Sequence, residues 1–155
     1  MKNLYMLILV LLAGTAYGQA NLSAIDASTC LNEKSSDTVV SFSTMSNGSA
    51  NEGKGRNGIY TEVLIKELKN SNATIDEVLK KISIAVKQKT SGSQIPSSYS
   101  SISSDCFNQL HFKDALKAYP TKFAIVIGNS DYKRIGRLPN SINDSSDIAQ
   151  YFLSQ

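Results

Sequence analysis

Val40-Ser-Phe-Ser-Thr-Met-Ser-Asn-Gly-Ser-Ala-Asn-Glu-Gly-Lys-Gly-Arg-Asn-Gly-Ile-Tyr-Thr61 is the stretch on which the fold turns. With Thr38 and Val39 ahead of it, its opening gathers β-branched and aromatic residues from Thr38 to Thr44, which suits a short strand. Ser46 to Gly55 is mostly Ser, Asn and Gly and reads as a flexible loop. Past Gly58 the spacing becomes that of a helix. Tyr60, Val63, Leu64 and Leu68 can line one face while Glu62, Lys66 and Lys69 face water.

Asn70-Ser-Asn72 ends that helix, and a second follows with a stronger start signal. Thr74 can accept from the N–H three residues on while Glu77 reaches back to it, the two halves of a capping box. Ile75, Val78, Leu79, Ile82 and Val86 then recur at helical spacing. Lys87 and Lys89 complement the dipole at the far end, and Gly92 is a stop. Ser91 to Ser104 is serine-rich, and Pro96 confines any strand there to an edge. Asp105 to Tyr119, with Phe107, Leu110, Leu116 and Tyr119 apolar and Pro120 closing it, predicts a connecting helix.

Phe123-Ala-Ile-Val-Ile127 is a continuous apolar run between Lys122 and Gly128-Asn129, the pattern of a strand buried on both faces of a parallel sheet. Ser130 to Asn140, with Gly136 and Pro139, predicts a loop. Ser141 or Asn143 could cap a last helix carrying Ile148, Tyr151, Phe152 and Leu153. No stop signal follows that helix, so the pattern reads as a domain start cut short.

At the other end, Lys2 precedes an apolar run from Leu4 to Leu12, and Gly14, Ala16 and Gly18 follow it. That is the pattern of a cleaved signal peptide, and the mature chain is expected to begin at Gln19. The run is shorter than the roughly 20 apolar residues that cross a bilayer. Residues 21–37 are polar, without periodicity, and read as a loop or disordered leader. Losing Lys2 lowers the formal charge from +3 to +2 (3 − 1), too small a balance to argue for nucleic acid or an anionic membrane surface.

Cys30 and Cys106 are the sole cysteines of the sequence. In an exported chain they could pair as a disulfide or stand as two unrelated thiols. His111 is the single histidine, which leaves a metal site almost nothing to build on, and no cofactor is expected. Gly53 to Gly58 lacks the Gly-Lys-Ser/Thr ending of a phosphate loop.

The stretch from Val40 to Thr61 resembles the segment that follows the catalytic cysteine in bacterial caspase-like and metacaspase-like cysteine peptidases. The helix opened by Thr74-Ile-Asp-Glu77 and the later Gln94-Ile-Pro96 extend the resemblance, over about Thr38 to Ile102. A second stretch, Phe123-Ala-Ile-Val-Ile-Gly-Asn-Ser-Asp-Tyr-Lys133 with Leu138-Pro-Asn140 and Asn143-Asp144, resembles the opening of such a domain: its first strand, Gly-Asn turn and first helix. The resemblance therefore implies an α/β, caspase-like three-layer fold that is incomplete, with its central strands missing and part of it disordered. The expected division is a signal peptide at 1–18, a polar leader at 19–37, the C-terminal portion of a caspase-like domain at 38–104, a connector at 105–121 and a truncated domain start at 122–155.

Tandem domains with the second truncated, a circular permutation and a recombined reading frame would each give this order. A parallel sheet without its central strands leaves buried backbone groups unpaired, at about 1–3 kcal/mol each. Truncated remnants are therefore expected rather than a compact permutant.

The family's chemistry needs a cysteine thiolate and a histidine. The resemblance implies a His-Gly motif at one strand end and an Asp-x-Cys motif at the next, and neither is intact here. His111 lies in Leu-His-Phe between the two matched stretches, where a surface or half-buried helix histidine is the ordinary reading. Ile25-Asp-Ala-Ser28 resembles the second strand end with Ser28 at the nucleophile's place, and Cys30 stands two residues on. Cys30 and His111 are thus weak catalytic candidates. Arg134 and Arg137 lie in the loop that the resemblance places near the substrate end, where either could pair with an acidic side chain or be a solvated loop arginine. Two functions follow: an inactive fragment of a cysteine endopeptidase, or a non-catalytic module binding a protein or peptide partner that supplies the missing strands.

Overall fold

The structure, a computed structural model, describes residues 7–11, 38–46, 48–70, 72–113, 124–128, 130–132 and 136–155. The polar leader, the expected cleavage point, Ser28, Cys30 and Arg134 lie outside the described residues, as do Leu116, Tyr119 and Pro120.

β1 (Leu7–Leu11), β2 (Thr38–Phe42) and β3 (Ser97–Ser100) form an antiparallel sheet in the order β1-β2-β3. Leu11 pairs with Thr38 and Leu7 with Phe42 on one side of β2, and Val39 pairs with Ser100 and Phe42 with Ser97 on the other. The apolar run expected to direct export thus supplies a strand of this sheet. β3 begins directly after Pro96, which needs no ladder partner there. On the sheet face, the Phe42 and Tyr99 rings meet edge to face across the diagonal, their centroids 6.0 Å apart.

α1 (Ile59–Asn70) buries Tyr60, Val63, Leu64 and Leu68, the four residues its spacing assigned to one face. α2 (Ile75–Lys89) carries both halves of the Thr74–Glu77 capping box and buries Ile75, Val78, Ile82 and Val86. α3 is one short turn of helix, Ser104–Phe107; Phe112 and Lys113 are helical again, and the rest of the connecting helix expected up to Tyr119 lies outside the described residues. Its apolar residues still pack: Leu110 is buried, and Phe107 and Phe112 lie against it.

Residues 130–140 hold a small hairpin, β4 (Asp131–Tyr132) with β5 (Gly136–Arg137). α4 (Ser141–Leu153) starts with Asn140 at its N-cap, where no side-chain cap forms, so neither Ser141 nor Asn143 caps it. Ile148 and Tyr151 are buried, whereas Leu153 is exposed.

The largest correction concerns the apolar run at 123–127. Ala124 to Gly128 form no strand, and Ile125 and Ile127 are 80% and 82% exposed. The sheet that does form is antiparallel and built from other residues. A run of this kind is buried on both faces only if flanking strands satisfy its backbone, and the described residues supply none.

The two family-like stretches pack on each other: Ile148 and Tyr151 of α4 share one hydrophobic cluster with Tyr60, Val63, Leu64 and Leu68 of α1 and with Val78, Ile82 and Val86 of α2. Tyr151 Oη also donates to the Leu68 carbonyl at 3.3 Å. Helix packing achieves this without central strands, because a helix satisfies its own backbone and has only a side-chain face to bury. A smaller cluster of Ile75, Ile102 and Leu110, with Val39 and Cys106 against it, ties β2 to the base of α2.

Candidate functional site

The densest polar contacts lie between the loop that follows β2 and the first turns of α4. Asp144 sits on the same helix face as Ile148 and Tyr151, one turn earlier, and is 7% exposed. Its Oδ1 accepts from the Gly58 N–H at 2.9 Å, and Thr61 hydrogen-bonds the same carboxylate. A Cβ on residue 58 would stand 3.1 Å from Asp144 Oδ2, so glycine is what lets the carboxylate approach the backbone. Burial pushes the Asp144 carboxyl up to about 6; the Gly58 N–H opposes this, and the charge of Glu52 adds to it.

Around this contact the loop and helix are laced together. Arg56 grips Asp147 with two nitrogens, Nε to Oδ2 at 3.0 Å and Nη2 to Oδ1 at 2.9 Å, and Asn57 Nδ2 donates to Oδ2 at 2.8 Å. Arg56 and then Asn57 hold the Asp147 carboxyl below the usual carboxylate range. Asn140 donates through its side chain to the Glu52 carbonyl at 2.6 Å, and Asn143 to the Arg56 carbonyl at 3.0 Å.

The other end of the loop is held by Gln94, which is 1% exposed. Its Nε2 donates to the Ser43 carbonyl at 2.8 Å and its Oε1 accepts from the Asn51 N–H at 2.9 Å. The Ser41 hydroxyl meets Tyr60 Oη at 2.6 Å, linking β2 to α1, and burial pushes the Tyr60 phenol up to about 12. The motif residues Arg56, Asn57, Gly58, Thr61 and Asp144 are therefore joined in one docking site between loop and helix, and Gln94 fixes the far end of that loop. It offers carboxylates and amides already engaged with one another rather than a nucleophile.

The catalytic candidates lie elsewhere. His111 bridges to Thr74 at the start of α2, and its Nδ1 hydrogen-bonds the Asn72 carbonyl. Cys106, in α3, is disulfide-bonded, and no cysteine among the described residues is free. The one other cysteine of the sequence, Cys30, lies outside the described residues. Arg137 is in β5, and Arg134 is not described. Among the described residues no group of three metal-ligating side chains gathers, and no helix is long and apolar enough to cross a membrane.

Residues 14–107, more than half of the chain, match the family model of the caspase domain. The chain belongs to the caspase domain family. No curated protein and no solved structure matches it. The caspase-domain match covers β2, α1, α2, β3 and α3, and with them the stretch from Val40 to Thr61. The fold is thus a caspase-like α/β fold that is incomplete, of the cysteine peptidase family. Sequence reasoning placed Glu52, Gly58 and Asp144 within the family-like stretches without joining them, and it missed Asp147. The available signal was an aspartate at the i, i+4, i+7 positions shared with Ile148 and Tyr151, where an unpaired carboxylate would not be left.

Proposed function

We propose that this chain is an exported member of the caspase-like cysteine peptidases that does not cleave peptide bonds as it stands. The disulfide at Cys106 carries this reading. A sulfur in a disulfide is no thiolate, the form that attacks a carbonyl, and Cys30 is the one other cysteine in the sequence. The single histidine supports the same reading, since its Nδ1 is engaged with the Asn72 carbonyl at the base of α2. Export follows from the leading Lys2, Leu4–Leu12 and Ala16–Gly18 pattern and agrees with a disulfide, which persists in oxidising compartments. Within the chain, 38–104 acts as the closing half of a caspase domain and 122–155 as the opening of one.

Peptides ending in Arg, Lys or Asp, offered to the purified chain with and without reductant, should not be turned over. Turnover that iodoacetamide abolishes would sink the proposal. A second reading, a binding module completed by strands from a partner, is favoured by the exposure of Ile125 and Ile127, which leaves an apolar stretch available for pairing.

A further inference from the structure

We infer that in the exported chain the edge of β2 is filled by Phe123-Ala-Ile-Val-Ile127 of a second copy, giving a reciprocal strand-exchanged dimer. The inference rests on the reading that residues 1–18 are removed.

β1 lies wholly within those residues. Its departure opens one side of β2, and the backbone shows which groups are affected. The Thr38 N–H donates to Ser101 Oγ and the Thr38 carbonyl accepts from the Ser101 N–H, so both polar groups of Thr38 point toward β3. Backbone groups alternate sides along an antiparallel strand. The N–H and C=O of Val39 and Ser41 therefore point toward β1, and both residues are half-buried. An open edge of this kind is a template for another strand.

The strand that fits is already in the chain. β1 shows what the edge accepts: five apolar residues, Leu-Ile-Leu-Val-Leu, in antiparallel register. Phe123 to Ile127 is also five apolar residues rich in β-branched side chains. Ala124 to Ile127 belong to no strand, and Ile125 and Ile127 turn outward while Val126 packs on the α1–α2–α4 cluster. Gly128 anchors the end of the segment: a Cβ there would come within 2.2 Å of Ser145 Oγ and 2.6 Å of the Ser141 carbonyl. The segment can thus stay seated on its own α4 and present its backbone outward. Val39, by contrast, packs on the other cluster, at the base of α2. A second copy meets the edge without lifting the segment from its own core, and because each copy has one edge and one strand to give, two copies close on each other.

The test uses the exported product of the full gene, its first residue read by N-terminal sequencing and its mass by light scattering over a range of concentrations. The expected result is a processed chain at twice the monomer mass, with slow amide exchange at Val39 and Ser41. Uncleaved chain purified from the cytoplasm, where β1 holds the edge, should remain a monomer. Ile125→Lys with Ile127→Lys, changing two exposed side chains, should return the processed chain to monomer mass with unchanged circular dichroism and fast exchange at Val39 and Ser41. A processed product that stays monomeric at all concentrations, or a dimer that survives the double substitution, overturns the strand exchange. A product still beginning at Met1 overturns the removal reading and with it the open edge.

Discussion

Ile82 and Ile127 are the same side chain in two apolar stretches of one chain, yet one is 1% exposed and the other 82%. Ile82 belongs to a helix that satisfies its own backbone and needs only a surface for its apolar face; α1 provides it, within a cluster that α4 joins. Ile127 belongs to a stretch whose burial as a strand would require neighbours on both sides to pair its N–H and C=O groups. The side chain's preference is the same in both places, and the backbone decides whether it can be met.

The comparison breaks most readily at the helices. Ile82→Ala should cost about 2–5 kcal/mol, and Ile148→Ala a loss in the same range, because both leave a cavity in one shared cluster. Urea unfolding of the uncleaved chain measures both. If Ile148→Ala leaves the midpoint unmoved, α4 is not packed on α1, and the two family-like stretches are separate after all.

Asp144 gives the next effect, and its sign is opposite to that of a salt-bridged carboxylate. Its folded pKa, about 6, lies above the ordinary value of 3.8. The folded state therefore holds the proton over a range in which the unfolded state has released it, and stability falls as pH rises from about 4 to about 6. The loss is on the order of 2–3 kcal/mol. Asp144→Asn keeps an oxygen for the Gly58 N–H and removes the charge, so its stability should be flat over that window and exceed that of the parent at neutral pH. A parent chain whose unfolding midpoint rises between those two pH values contradicts the burial of this carboxylate.

Much of the helical part was legible from local rules. Tyr60, Val63, Leu64 and Leu68 fell on one face by spacing alone, and the Thr74–Glu77 box needed only four consecutive residues. Thr74→Ala should cost about 1 kcal/mol by urea unfolding, as the loss of an N-cap does. A change within measurement error would mean that tertiary contacts such as the Ile75 N–H bond to the Leu110 carbonyl hold the helix start unaided. What local rules could not reach were the non-local terms. Whether Phe123–Ile127 becomes a strand depends on neighbours far away in sequence, and the apolar pattern of Leu7–Leu11 does not itself announce its pairing with β2. The loop–helix docking joins Gly58 to Asp144, and no periodicity in either stretch announces that pairing.

The smallest expected effect is the sharpest test of the comparison. In the uncleaved chain Ile125→Ala should shift stability by no more than about 0.5 kcal/mol, as a substitution at an exposed site does. Amides of Ala124 to Ile127 should exchange quickly in the same chain, while those of Val78 to Val86 are slow, because only the latter sit in hydrogen-bonded helix beneath a packed face. A large loss with Ile125→Ala together with slow exchange at Ala124 to Ile127 would mean that the run has found strand neighbours. The contrast between Ile82 and Ile127 would then be one of circumstance rather than of backbone chemistry. Fast exchange with no loss leaves the stretch as apolar surface that secondary structure has not used, which is the property that strand exchange between two processed copies requires.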